Sequence, residues 1–262
     1  MRVLFVGDLF GKPGRRVLQD MLHGLIQEYG IDFCIANAEN AAGGFGITPQ
    51  IAEELLRDEI DLLTTGNHIW DKRAIIPYIS EQPRLLRPQN YPASTPGTGI
   101  FIGETRCGVT VGVLNIQGRV FMPPLECPFK TGDEAIAKMR RQASIILVDF
   151  HGEASSEKQA FGWYVDGRVS AVVGTHTHVQ TADERILPKG TAYITDIGMT
   201  GSHDSVIGSV PAMALERFLL QMPVRLEPAN GNPRLCGVVI DIDESNGLAR
   251  SIHRLNVRSN NL

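Results

Sequence analysis

The chain has 262 residues, 43% of them hydrophobic, and a formal net charge of −4. That is enough for one large domain or two small ones around a sizeable core, and the acidic balance excludes a basic footprint for DNA or long RNA. Four dispersed cysteines (Cys34, Cys107, Cys127, Cys236) exclude a CxxC-type zinc site and a dense disulfide framework, and fit reduced thiols in the cytoplasm.

Residues 2–7, "RVLFVG", form a continuous apolar run, the mark of a strand covered on both faces. The run is too short for a signal-peptide core or a membrane span, and no other segment approaches span length. A helix follows, with Val17, Leu18, Met21, Leu22, Leu25 and Ile26 as its apolar stripe and Gly30 at its C-cap. "IDFCIANAEN" reads as a second strand. "TPQIAEELLRDE" reads as a helix capped by Thr48 with Pro49 in its first turn. "IDLLTTGNH" reads as a third strand. This β-α-β-α-β rhythm predicts a parallel sheet with covering helices.

Residues 82–99 are proline-rich and read as a long loop. "TGIFIGETRCGVTVGVLNIQG" predicts an antiparallel hairpin turning near "ETRCG". "GDEAIAKMRRQ" is a helix, "SIILVDFHGE" a buried strand, "SEKQAFGWYVDG" a weak helix and "SAVVGTHTHVQ" the next strand. "ERILPKGTAYITDIGMTGS" suggests two short strands and a glycine-rich loop. "PAMALERFLLQM" is a helix. "RLCGVVIDID" and "GLARSIHRLNV" close the chain as a hairpin around "ESNG". With no repeat, low-complexity tract or linker, a single domain over residues 1–262 is expected.

The strand ends carry the chemistry. They present Asp8, then Glu39 and Asn40, then Asn67 and His68, then His151, then His176 and His178. If residues 176–178 stay extended, both histidines point to one face. Each residue alone has an ordinary use, as a cap, a turn or a packed strand end. Together they place metal-competent side chains where α/β sheets bind ligands. The donors are oxygen and nitrogen without sulfur, and are too numerous for one ion. They suit two ions, with iron first and manganese or zinc as alternatives. Two-metal sites serve phosphoryl displacement, and a free imidazole beside them suits protonation of a leaving oxygen. His23 and His253 read as structural, and His203 is left unassigned.

"GDLFG", "AEN", "GNH", "DFHGE" and "GTHTHV", in this order and after strands, resemble the calcineurin-like metallophosphoesterases. The likeness is closest to their YmdB-like bacterial branch and covers nearly the whole chain. The resemblance implies a four-layer α/β/β/α metallophosphoesterase sandwich with a dinuclear centre. Carried over by motif, Asp8, Glu39, Asn40 and His178 would hold one metal. Glu39, Asn67, His151 and His176 would hold the other, with Glu39 as the bridge. A hydroxide between the metals would be the nucleophile and His68 the general acid. The branch implies hydrolysis of 2′,3′-cyclic and also 3′,5′-cyclic nucleotides, small-molecule partners rather than DNA or membrane.

Three positions depart from the wider superfamily: Phe10 stands where a histidine is usual, Ala38-Glu39 replaces Gly-Asp, and Ile69 replaces the acid after "GNH", with Asp71 nearby. Two glycine-rich loops, "AAGGFGIT" and "DIGMTGSHDSVIG", are candidates to line the pocket. Phe45, Trp70 and Phe121 are candidates for base stacking or core packing. Phosphomonoester or phosphoprotein hydrolysis at the same site, a nucleotide-binding regulatory role, and a homo-oligomeric assembly stay open. An amidohydrolase would need its His-x-His pair on the first strand of a barrel, which this chain lacks.

Overall fold

The computed structural model describes residues 1–259. Its first strand, β1 (Arg2–Val6), shows how the layers arise. Val3 and Phe5 point into one core and Leu4 and Val6 into another, because strand side chains alternate faces. After the short β2 (Asp8–Leu9) comes α1 (Gly11–Tyr29), which buries Val17, Leu18, Leu22, Leu25 and Ile26. Gly30 ends it at φ 60°, ψ 56°, with its N–H on the Ile26 carbonyl. β3 (Phe33–Asn37) leads to α2 (Pro49–Arg57), where Thr48 accepts the Ile51 N–H as N-cap. β4 (Leu62–Thr64) and the short α3 (Ile75–Tyr78) follow.

The second half supplies β5 (Ile100–Glu104), β6 (Thr110–Gln117), α4 (Pro128–Met139) and β7 (Ile145–His151). Then come α5 (Ser155–Val165), β8 (Ala171–Thr175), β9 (Arg185–Ile186), β10 (Ala192–Ile194) and β11 (Met199–Ser202). α6 (Pro211–Leu220) precedes the closing hairpin of β12 (Pro233–Ile242) and β13 (Ala249–Arg258).

The strands form two sheets. One runs β2-β11-β12-β1-β3-β4, with β13 also paired to β12; the other runs β5-β6-β7-β8-β10-β9. β1, β3 and β4 are parallel in the first sheet, and β6, β7 and β8 in the second. The hairpin β5–β6 is antiparallel, as its sequence suggests. Between the sheets lies a core that includes Phe5, Phe33, Ile35, Val113, Leu147 and Ile240. α1 and α2 cover the outer face of the first sheet, and α4 and α5 that of the second. The result is a four-layer α/β/β/α metallophosphoesterase sandwich. The parallel strands are thus divided between two sheets rather than lined up in one. Their carboxyl ends meet because the sheets pack face to face.

Candidate metal centre

The ends of β1, β3, β4, β7 and β8 bring all eight predicted site residues to one place. Asp8, Glu39, Asn40, His151 and His178 are buried there, and His68 and His176 stay partly open. Two clusters of donors form, and Glu39 touches both.

The first cluster centres on His151 Nε2. It lies 3.0 Å from Asn67 Oδ1, 3.1 Å from His176 Nδ1 and 3.1 Å from Glu39 Oε1. The other ring nitrogen, Nδ1, faces Thr175 Oγ1 at 2.9 Å. Thr175 gives its single hydroxyl proton to Asp149 Oδ1 at 2.7 Å, so it accepts from His151. This network assigns the Nδ1–H tautomer and leaves a lone pair on Nε2. Asn67 Oδ1 and Glu39 Oε1 aim lone pairs at the same point. One proton cannot satisfy all of them; a metal ion can. Glu39, His151 and His176 place one ligand-type atom each within 4.8 Å of one another.

The second cluster joins Asp8, Asn40 and His178. His178 Nδ1 donates to the Ile207 carbonyl at 2.9 Å, turning Nε2 toward the Asn40 amide at 3.1 Å and Asp8 Oδ1 at 3.6 Å. Asn40 Nδ2 also donates to Glu39 Oε1 at 3.4 Å. Asp8 Oδ1 is buried without a hydrogen-bond partner among the described residues. An orphaned carboxylate oxygen is costly unless a cation lies beside it. Phe10, at the usual histidine position, meets the His178 ring edge-on at 5.5 Å between centroids. The first cluster therefore fits a metal ion as it stands, and the second fits one through Asp8 and His178, with Asn40 joining once its amide is turned to present Oδ1 in place of Nδ2.

The electrostatics follow from crowding. Burial alone would raise Glu39, but the charge and hydrogen bond of a protonated His151, whose Nε2 proton takes the place a cation would hold, then His68, outweigh it and bring the carboxyl to about 2. Burial, reinforced by neighbouring His151, pushes His176 down to about 3. For His178, burial is overcome by its contact with Asp8 and by the Ile207 carbonyl, which raise it to about 9. Each carboxylate favours the charged form of the imidazole beside it, and each charged imidazole disfavours the next.

The sequence reading and the structure differ at the His-x-His pair. β8 ends at Thr175, and His176 and His178 take φ of 100° and 65°. They do not share one extended face. Such backbone is strained for residues with a Cβ, at a cost of order 1–3 kcal/mol each. Asp196 holds the loop, accepting from the Thr177 N–H at 3.1 Å and hydroxyl at 2.7 Å while paired to buried Lys158 at 2.7 Å. The turn aims His176 at one cluster and His178 at the other.

His68 stands beside the clusters. Its backbone N–H donates to Glu39 Oε2 at 2.9 Å, and its Nδ1 faces Asp71 Oδ2 at 2.9 Å. Asp71 thus supplies the orienting acid that the sequence placed only nearby. His176 Nε2 similarly pairs with Glu153 Oε2 at 3.1 Å. Asp149, Glu153 and Thr175 were missed by sequence reasoning. Asp149 had a signal: it is a buried-strand acid two residues before His151, hence on the same face. Burial raises it to about 6, against hydrogen bonds from Thr64 and Thr175.

A cleft of about 350 Å³ opens over the clusters, with Phe45, His68, Glu153 and Arg217 on its walls. Of the two glycine-rich loops, the first supplies Phe45, whose ring meets His68 at 5.1 Å. The second contributes the Ile207 carbonyl, which accepts from His178 Nδ1 at 2.9 Å. His203 packs on the Met199 carbonyl and Cys236, away from the clusters. Trp70 packs edge-on against Tyr91, and Phe121 is 89% exposed.

The model of the YmdB-like protein family matches residues 4–255. The chain belongs to the YmdB-like family. One relative, the 2′,3′-cyclic-nucleotide 2′-phosphodiesterase of Bacillus subtilis (strain 168), is 48% identical over 262 residues, covering 100% of this chain and 99% of its own. A hypothetical protein from Thermus thermophilus superposes with a TM-score of 0.92 at 39% identity, over 99% of this chain and 100% of that one. A phosphatase from Mycoplasma pneumoniae superposes with a TM-score of 0.92 at 33% identity, over 98% of this chain and 93% of that one. No helix among the described residues is long and apolar enough to cross a membrane.

Proposed function

We propose that this YmdB-like chain is a metal-dependent phosphodiesterase that opens 2′,3′-cyclic nucleotides, with 3′,5′-cyclic nucleotides as secondary substrates. The carrying observation is Glu39 Oε1, which stands between the two donor clusters in a cleft that also holds the His68–Asp71 pair. The full-length likeness to a phosphodiesterase supports phosphoric-ester hydrolysis as the chemistry.

In this reading Asp8, Glu39, Asn40 and His178 hold one ion, and Glu39, Asn67, His151 and His176 the other. Iron is our first assignment, with manganese or zinc as alternatives, because the donors are oxygen and nitrogen. Two such ions would neutralise phosphate charge and lower the pKa of a water at neutral pH. His68 holds the proton that the leaving oxygen needs. Asp71 fixes its ring through Nδ1, which leaves Nε2 to face the cleft. As water oxygen joins phosphorus, the P–O2′ bond breaks, O2′ takes the proton and a nucleoside 3′-phosphate remains. Phe45, beside His68, offers a face to the base. Four free cysteines fit placement in the cytoplasm.

A panel of adenosine 2′,3′-cyclic phosphate, 3′,5′-cyclic AMP, a nucleoside monophosphate and a phosphopeptide tests the reading. The 2′,3′-cyclic ester is expected to give the highest kcat/KM, with the 3′-phosphate as product. A higher value on the monoester or phosphopeptide would assign a phosphatase. Tight nucleotide binding without turnover would assign a regulatory protein.

A further inference from the structure

The metal-centre cleft does not end at its own wall. A second cleft of about 500 Å³ continues from it, and Phe45, Arg217 and Leu226 line both. Lys72 and Arg225 line the second cleft, so with Arg217 it presents three cationic side chains. None of these three side chains has a hydrogen-bond or ion-pair partner among the described residues. Glu227 is the one acid on that wall. The local field is therefore opposite to the net charge of −4. Lys72 packs against Gly46, the residue after Phe45: a Cβ on Gly46 would come within 2.8 Å of Lys72 Cγ. Gly46 also has φ +77°, a conformation that glycine adopts freely.

An aromatic platform followed by unpaired cations is how single-stranded nucleic acid is gripped. A mononucleotide held at the donor clusters would leave the cations of the second cleft without a ligand group. We propose that the substrate class is a short RNA fragment ending in a 2′,3′-cyclic phosphate. This rests on the phosphodiesterase reading above. The terminal cyclic phosphate sits at the donor clusters, and its base lies on Phe45. The chain leaves through O5′, so the preceding phosphodiester enters the second cleft between Lys72, Arg217 and Arg225. Hydrolysis is unchanged in its balance: water adds to phosphorus, P–O2′ breaks, O2′ gains the proton, and the fragment ends in a 3′-phosphate. The reaction class that supplies this substrate is RNA cleavage by transesterification, which leaves such cyclic ends.

The test uses metal-loaded full-length protein and three substrates: adenosine 2′,3′-cyclic phosphate, the adenylyl dinucleotide ending in a 2′,3′-cyclic phosphate, and that dinucleotide with a neutral methylphosphonate linkage. The charged dinucleotide is expected to exceed the mononucleotide in kcat/KM by about fivefold or more, the scale of one stacking and phosphate subsite. The advantage should shrink with the methylphosphonate, with added salt, and in Lys72→Ala and Arg225→Ala. The readout is the dinucleotide-to-mononucleotide ratio, which a general folding defect does not move. Equal values for charged and neutral dinucleotides, or a mononucleotide preference, would overturn the groove assignment while leaving the phosphodiesterase reading intact. If no cyclic ester turns over, that reading falls instead. The groove is then decided by titrating the dinucleotide 3′-phosphate against adenosine 3′-phosphate: tighter, salt-sensitive dinucleotide binding supports it, and equal binding overturns it.

Discussion

His68 differs from the other histidines of the site in what its ring touches. Its Nδ1 meets Asp71 at 2.9 Å, whereas His151 and His176 face each other and Glu39 or Glu153. In the proposed mechanism it is the histidine that hands a proton to the leaving oxygen. His68→Ala is therefore expected to keep its metal content and fold while kcat on a cyclic nucleotide drops roughly 10²–10⁴-fold. An activated nitrophenyl diester should suffer less, because its departing oxygen needs less protonation. Loss of a metal ion, or equal slowing of both substrates, would make His68 a ligand or a positioning residue. The donors themselves were legible because metal-competent side chains recur at strand ends. Their supports were not. Thr175 and Glu153 are common residue types without a spacing signal, and only folding puts Thr175 between Asp149 and His151.

Among the elements, the strand termini matter most, and close backbone approach sets their geometry. At the end of β4, Gly66 lies against the His151 ring: a Cβ there would stand 2.1 Å from His151 Nε2. Gly66→Ala must displace that ring. It is expected to cost about 1–3 kcal/mol of stability through overpacking and to lower metal content and activity together. Gly24→Ala is the control. It sits in α1 with nothing within 4 Å of its Cβ, and should stabilise by about 0.5–1 kcal/mol without touching turnover. Calorimetry and metal analysis on both variants check this; a Gly66→Ala enzyme with full metal and activity would contradict the close-approach account. Periodicity revealed α1, and apolar runs the longer strands, but β2, α3 and β11, which lies where a glycine-rich loop is expected, carry no such pattern. It did not reveal that the segment after β8 leaves the extended region at His176, because no local signal marks a histidine with positive φ.

At the scale of the molecule, the site exists because two sheets share one core. β12 enters the first sheet antiparallel beside β1, far from it in sequence. The sequence reads as a closing hairpin but says nothing of where that hairpin docks, since pairing partners are set by tertiary packing. The division of parallel strands into two sheets was likewise legible only through family resemblance. We propose that the chain folds as a single domain, because the inter-sheet core draws residues from β1 at one end and β12 at the other. Thermal unfolding should then show one transition, coincident by near- and far-ultraviolet dichroism; two separated transitions would indicate two folding units. The central claim is a dinuclear centre bridged by Glu39. The most direct measurement is elemental analysis of protein purified without chelator, with turnover of a 2′,3′-cyclic nucleotide followed on the same sample. The account predicts about two equivalents of transition metal, loss of turnover on chelation, and recovery when metal is restored. Full activity with a single equivalent, or with none, would contradict it.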